Sequence, residues 1–331
     1  MKLGTLNLDN RYMLAPMLNI TTSPYRRFCR SFFNIGLVYV PMLYTKRIEK
    51  NPKSIEKDLF KIEEERPISL QIIGSTPESL KKSIEYLESY NYDVLDLNAG
   101  CPSKRAIKAK EGGYLMKDFN RLKQLINTLV KFSSKPISLK IRTGYEEPFN
   151  IEEMANIVNN SGLDFLTIHA RTVKDSFFGG SLDLDTVKKL KARINLPLVG
   201  NGDIINTVSA KSFINYTNVD ALMIGRESIG NPEIFKQIHE YFRKGIEIPI
   251  KKNYDIIRKQ IENYEEKIDE FLNGISHPLD NVKIKFIELK RNAIWLMRYV
   301  KNSKVIRRKL SQTKDIYQIK LILSEFSSQN N

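Results

Sequence analysis

The sequence predicts a (β/α)8 TIM barrel followed by a small C-terminal α-helical bundle domain. Three observations carry that prediction. Over residues 1–243 of the 331-residue chain, eight short apolar runs alternate with longer amphipathic stretches, the pattern of a parallel sheet built from βα units. Glycine and polar residues gather where those runs end, as in barrels that carry their chemistry at the C-terminal ends of strands. Beyond residue 252 the apolar pattern is helical only. A doubly wound open sheet is the alternative, but no GxGxxG opens the first βα turn as a dinucleotide-binding sheet requires.

In chain order the runs are Tyr12 to Ala15, Leu37 to Val40, Ile68 to Ile73, Val94 to Leu97, Ile137 to Ile141, Phe165 to Ile168, Leu198 to Gly200 and Ala221 to Ile224. Helix starts are readable between them. Ser23-Pro24, Thr76-Pro77-Glu78 and Asn231-Pro232-Glu233 each place a capping side chain before a proline at the first helical position. The last barrel helix is expected over 233–243. Residues 244–252, with Gly245 and Pro249, read as a linker. A helical domain follows over 253–331, where Ile257, Ile261, Tyr264, Ile268 and Phe271 keep a helical period and Phe286, Leu289, Ala293, Leu296 and Val300 repeat it.

The stretch from Asp93 to Asp118 holds the reactive centre. The apolar run Val94, Leu95, Leu97 stops at Asn98, Gly100, Cys101 and Pro102, where core-forming residues give way to chemistry-forming ones. Taken alone, Cys101 reads as a small buried hydrophobe; its place just after a strand makes its thiol a candidate proton donor or acceptor. Other strand ends follow suit, with Ala15-Pro16-Met17, Gln71 with Gly74, Lys140 with Arg142, His169 with Arg171, Asn201-Gly202-Asp203 and Gly225-Arg226. Singly, His169 fits a core histidine and Lys140 a snorkelling lysine. Their convergence on one face of a barrel is harder to explain by packing. The seventh and eighth strand ends are where barrels hold phosphate, so a phosphate-bearing cofactor is expected against Gly200, Gly202, Gly225 and Arg226. Lys140 is placed to stabilise negative charge on a cofactor ring, and Gln71 can donate and accept at the edge of a flavin.

Bulk composition narrows the class. The formal charge is +15, which suits a polyanionic partner such as nucleic acid. Cys29 and Cys101 are far apart and form no CxxC pair, so a reduced, cytoplasmic setting is expected, with no metal. No apolar run approaches membrane-spanning length and no signal-peptide core is present at the N-terminus.

The motifs APM (Ala15 to Met17), LNAGCPS (Leu97 to Ser103), EGGYLM (Glu111 to Met116), KIRTG (Lys140 to Gly144), HART (His169 to Thr172), GNGDI (Gly200 to Ile204) and MIGR (Met223 to Arg226) stand in order along the barrel. By that series the chain resembles the tRNA-dihydrouridine synthases. The resemblance implies an FMN flavoenzyme, reduced by NADPH, that reduces the C5=C6 bond of particular tRNA uridines. It implies hydride delivery from flavin N5 to C6 while Cys101 protonates C5 from the other face. It makes Ala15, Pro16, Met17, Gln71, Lys140, His169, Asn201, Gly202, Asp203, Gly225 and Arg226 cofactor-binding and gives Asn98 to the substrate, with Arg171 able to serve either ligand and placed with the substrate. A thiol is largely protonated at neutral pH, which suits a general acid. The target base must leave its stack to react.

That requires a grip on the RNA. Between Asn281 and Lys320 there are 12 lysines and arginines against two acids. Read as one helix, Lys283, Lys290, Arg291, Arg298 and Lys301 form a basic edge; Lys290, Arg291 and Arg298 are the expected substrate contacts. The chain is expected to act as a monomer on tRNA, without a protein partner. Three positions depart from the family pattern: Asn292 stands where a histidine is expected, Val40-Pro41-Met42 where Thr-Glu-Met is usual, and Phe177, Phe178 and Gly179 where Tyr and Trp are usual. The rival functions are an FMN barrel reductase of a free small molecule, such as a dihydroorotate dehydrogenase, and a non-catalytic RNA-binding scaffold.

Overall fold

A computed structural model describes residues 1–176, 179–250, 253–275, 280–300 and 303–328, with side chains to residue 325. The chain opens on an antiparallel hairpin, β1 (Lys2–Leu3) with β2 (Leu6–Asn7). The expected runs then appear as β3 (Tyr12–Leu14), β4 (Val38–Tyr39), β6 (Ile68–Ile73), β7 (Val94–Asn98), β8 (Ile137–Arg142), β9 (Phe165–His169), β10 (Leu198–Asn201) and β11 (Ala221–Ile224). An additional short strand, β5 (Leu43–Tyr44), pairs with β6 after Pro41, which has no N–H to offer a ladder, interrupts the second run. The strand order is β3-β11-β10-β9-β8-β7-β6-β4. A parallel bridge between Met13 and Leu37, with the Leu14 N–H donating to the Leu37 carbonyl at 3.0 Å, joins the two ends and closes the barrel.

Closure turns alternate residues of every strand inward. The lower interior is apolar: Met13, Leu37, Tyr39, Val94, Phe165, Val199, Ala221 and Met223 pack with Leu3 and Leu8, so the opening hairpin plugs the barrel. One residue pair further along the strands the interior turns polar, with Ser69, Asp96, Ser138 and Thr167 all fully buried.

The N-terminal ends of the strands carry a repeated device that the apolar pattern does not reveal. Asp93, Asp164 and Asp220 each precede a strand and accept from the first N–H of the strand beside it: Ile68 at 2.7 Å, Ile137 at 2.8 Å and Leu198 at 2.7 Å. Each aspartate N–H returns a bond to the carbonyl of that same residue. Three neighbouring strand pairs are thus locked in register from below.

The described residues divide into two units, Met1–Thr22 with Asn34–Gly225, and Ser23–Phe33 with Arg226–Asn331. The second is helical. The helix Tyr254–Gly274 buries Ile257, Ile261, Tyr264, Ile268 and Phe271, the residues its period singles out. Within this unit the helix Ser23–Arg30 sets Phe28 edge-on to Tyr264, centroids 5.2 Å apart. Thr76 caps the helix Pro77–Leu87 by accepting from Ser79, as expected. Asn231 does not cap; its NH2 donates to Gln237 and the helix starts at Ile234. The expected linker has no helix or strand over 245–250, and Lys251 and Lys252 lie outside the described residues. No helix among the described residues is long and apolar enough to cross a membrane.

Replacing Asp164 by Ala strands the Ile137 N–H and is expected to cost about 1–3 kcal/mol in chemical denaturation. An unchanged midpoint would show that these aspartates do not hold the register.

Candidate active site

Strand register assembles the mouth of the barrel. Asn98 lies opposite Lys140, Arg142 opposite His169, and His169 opposite Asn201; Gln71 lies opposite Asp96 on the next pair. Gln71, Asn98, Lys140, His169 and Asn201 therefore stand at the C-terminal ends of five neighbouring strands and share one face. The Ala15 N–H donates to the Ile224 carbonyl at 2.9 Å. Ala15 and Met17 flank Gly225, which brings Ala15-Pro16-Met17 beside the end of β11. Gly202 and Asp203 turn away after β10 with φ of 136° and 41°. Arg226 begins the second unit, in the short turn Arg226–Ser228.

Cys101 sits half-buried in a loop tied down on several sides. Asn98 Oδ1 accepts from the backbone N–H groups of Gly100 at 3.1 Å and Cys101 at 2.9 Å. The thiol lies 3.4 Å from Ser103 Oγ and packs against Met42, Tyr44, Ile73 and Ala106. Across the loop, the Gly113 N–H donates to the Cys101 carbonyl at 2.9 Å. A Cβ on Gly113 would stand 2.9 Å from that oxygen and 2.8 Å from Val173, while Gly112 holds φ at 58° with its own Cβ position 3.0 Å from Cys101. This close approach is the physical reason for Gly-Gly in EGGYLM. Arg142 clamps the other side, giving Nε to the Gly100 carbonyl and Nη1 to the carbonyls of Thr172 and Ser176.

Lys140 Nζ lies 3.3 Å from Asn201 Oδ1, and the Asn201 NH2 donates to the Met223 carbonyl at 2.8 Å, which fixes the oxygen toward the lysine. Burial pulls Lys140 down to about 8; the Arg142 charge adds to this, and Asp96 and Cys101 oppose it. Burial pushes Asp96 up to about 6 against hydrogen bonds from Ser138 and Gln71. Arg171 Nη2 pairs with Asp203 at 2.5 Å, and its buried Nη1 finds no hydrogen-bond partner among the described residues. Gly200, expected to admit a ligand, instead faces outward: a Cβ there would stand 2.4 Å from the ring of Phe213, so helix packing requires the glycine.

The basic edge of the helical unit is partly engaged. The helix Asn281–Leu296 gives way to a tighter turn, Met297–Tyr299, so Arg298 is not on the same helix as Lys283. Lys290 donates to the Thr313 carbonyl at 2.7 Å, and Arg291 pairs with Glu288 at 2.6 Å over the Trp295 ring. Arg298 is half exposed, 3.5 Å from Glu227 and stacked near Tyr299, and Lys283 is exposed. Asn292 is buried and donates to the Glu288 carbonyl of its own helix. Lys301, Phe177 and Phe178 lie outside the described residues.

Two residues escaped the sequence pattern. Asp96 was absorbed into an apolar run, although a carboxylate within Val94–Asn98, two residues from Asn98, falls on the inward face. Arg142 read only as another polar strand end, because its three carbonyl partners come from distant loops.

Both the sequence and the fold match known proteins. The family model described as Dihydrouridine synthase (Dus) matches residues 13–329. The chain is 33% identical over 270 residues to tRNA-dihydrouridine synthase B of Pasteurella multocida (strain Pm70), covering 80% of this chain and 81% of that protein. It is 28% identical over 330 residues to a probable tRNA-dihydrouridine synthase of Rickettsia prowazekii (strain Madrid E), covering 98% and 97%. Among solved structures it resembles histamine dehydrogenase from Rhizobium sp. 4-9 with a TM-score of 0.57 at 11% identity, covering 81% of this chain and 50% of that one. Morphinone reductase gives a TM-score of 0.52 at 13% identity over 75% and 90%. These two share the barrel fold.

Gly113→Ala is expected to push on the Cys101 carbonyl and cost about 1–3 kcal/mol of stability; a variant as stable as the parent would show that the loop gives way freely. A buried acid whose folded-state titration is raised binds its proton more tightly folded than unfolded, so its contribution to stability falls as pH rises through the window between the two titrations. Asp96→Asn should therefore gain on the parent between about pH 4 and pH 6, by roughly 2–3 kcal/mol, with no further gain above. Denaturation curves over that range test it; parallel pH profiles for the two proteins would refute it.

Proposed function

Because the chain belongs to the dihydrouridine synthase family, we propose that it is a flavin-dependent tRNA-dihydrouridine synthase, with FMN as its flavin, NADPH as reductant and tRNA uridine in the cytoplasm as substrate. The single observation that carries this reading is the Cys101 loop, held by Asn98, Gly113 and Arg142 beside a ring of amide, lysine and histidine side chains at the barrel mouth. The donor set fits a flat ring with polar edges. Gln71 has one amide N–H beyond the one it gives Asp96, Lys140 has two N–H groups beyond the one facing Asn201, and buried Arg171 Nη1 has no partner among the described residues.

Gln71, Lys140, His169, Asn201 and Gly202 would hold the ring system, with Ala15, Pro16, Met17 and Gly225 forming its support and the loops after β10 and β11 taking the phosphate. The chemistry that a flavin supplies in this place is delivery of a hydride to C6 of the uracil ring. Lys140, as a cation, offsets negative charge on the cofactor. Asn98 has one amide N–H beyond the one given to Gln71 and presents it to the base edge. Cys101 gives its thiol proton to C5, and Ser103, 3.4 Å away, steadies the sulfur before and after the transfer. Arg171, tied to Asp203 and the Gly180 carbonyl, is held after β9 beside the loop that follows β10. In the helical unit, exposed Lys283 and Arg298, together with exposed Lys304, Arg308, Lys309 and Lys314, are cations suited to phosphate, while Lys290 and Arg291 shape that surface through their own internal bonds.

Cys101→Ala is expected to keep its FMN, seen as the yellow flavin spectrum, and to lower dihydrouridine formation on tRNA at least 100-fold; a variant with parental turnover would refute the proton-donor role. Lys140 loses its charge as pH rises through about 8 in the flavin-free protein, so FMN affinity should weaken between pH 7 and 9. Lys140→Arg should flatten that dependence. Flavin fluorescence titrations check both, and a parental affinity independent of pH would count against Lys140.

A further inference from the structure

The bonds beneath Cys101 form a chain whose direction is forced. A backbone N–H can only donate, so the Asn98 atom that accepts from Gly100 and Cys101 is its oxygen, and the other end of that amide is its NH2 group. This NH2 faces Gln71 Oε1 at 2.9 Å, which must accept. The Gln71 NH2 then faces Asp96 Oδ2 at 2.7 Å, and Asp96 Oδ1 takes the Ser138 hydroxyl at 2.5 Å. Asp96 and Ser138 are fully buried, and strand register places Gln71 opposite Asp96 and Asp96 opposite Ser138. One end of the chain is an obligate pair of donors and the other an obligate acceptor.

We propose that Asp96 is a positioning residue for Cys101: its carboxylate sets which way the Gln71 and Asn98 amides point and so holds the loop that carries the thiol. This deepens the function proposed above and rests on it for the role of the thiol. With an apolar side chain at position 96 the Gln71 NH2 loses its acceptor and the Gln71 amide is free to turn, which would set its NH2 against the Asn98 NH2 and push on the side chain that holds the loop. An asparagine preserves the pattern without the charge. Its oxygen accepts from Gln71, and its NH2 donates to the Ser138 hydroxyl, which can accept as well as donate. Tyr39 lies nearby, its titration pushed up by burial and by the Asp96 charge; the full burial of the carboxylate leaves it no solvent to substitute for either bond.

The test compares Asp96→Leu, Asp96→Asn and the parent as full-length holoproteins at pH 7, by alkylation of Cys101 with iodoacetamide and by turnover on tRNA. Cys29 is fully buried with its thiol pushed up to about 12, so the rapid alkylation reports Cys101. Asp96→Leu should change the alkylation rate at least fivefold and lower kcat at least tenfold with flavin content retained. Asp96→Asn should stay within twofold in alkylation and threefold in kcat. Parental alkylation in Asp96→Leu overturns the proposal, as does an Asp96→Asn variant impaired as deeply as the leucine one. If Asp96→Leu does not fold, Gln71→Met cuts the same chain one link nearer the loop; because Gln71 also faces the flavin, alkylation is compared between flavin-free Gln71→Met and flavin-free parent, where the same fivefold change supports the proposal and parental alkylation overturns it. A parent protein without activity on tRNA would instead defeat the assigned function, while the alkylation contrast would still support the positioning role.

Discussion

Closing eight parallel strands on themselves forces alternate side chains of every strand into one enclosed column, and the chemistry of this protein depends on how that column is filled. Its lower part is apolar and plugged by Leu3 and Leu8. Its middle contains a carboxylate and three hydroxyl residues with no access to water. Such groups are costly to bury unless each finds a partner. Asp96 meets that demand through Ser138 and Gln71, and the geometry of those bonds passes upward to the loop bearing Cys101.

The mouth is built by the same economy of partners. Asn201 is turned by the Met223 carbonyl so that its oxygen faces Lys140. Arg142 spans three loop carbonyls, and Arg171 is held between Asp203 and Gly180. In each case a strand-end side chain is oriented by backbone groups or by a neighbour of fixed polarity. Burial weakens Lys140 as a base and Asp96 as an acid, so the interior holds opposite charges that each favour the ionised form of the other. A site prepared in this way reorganises little when a ligand arrives.

The helical unit shows a different balance. Its core follows the period of the helix Tyr254–Gly274, and Tyr264 gives its hydroxyl to buried Glu288 at 2.5 Å. Glu288 in turn draws in Arg291. A cation that reads as surface charge in a helical projection is here used to neutralise an internal acid. The exposed cations are fewer than the count of lysines and arginines suggests, and the change from α-helix to a tighter turn at Met297 alters which of them share a face.

The sequence by itself determined the strand positions, the barrel, the helical period of the second unit and the candidates at the strand ends, because periodicity and punctuation are local and survive without coordinates. It also marked Cys101 as the candidate reactive group. Only the tertiary structure decided which strand-end side chains are free for a ligand and which are committed to protein partners. Gly200 proved to serve Phe213, Gly113 the Cys101 carbonyl, and Lys290 the Thr313 carbonyl. Asp96 passed as part of an apolar run because its partners, Gln71 and Ser138, are 25 and 42 residues away. Hydrogen-bond polarity depends on what stands opposite across a sheet, and strand register, which no local pattern contains, is what sets it.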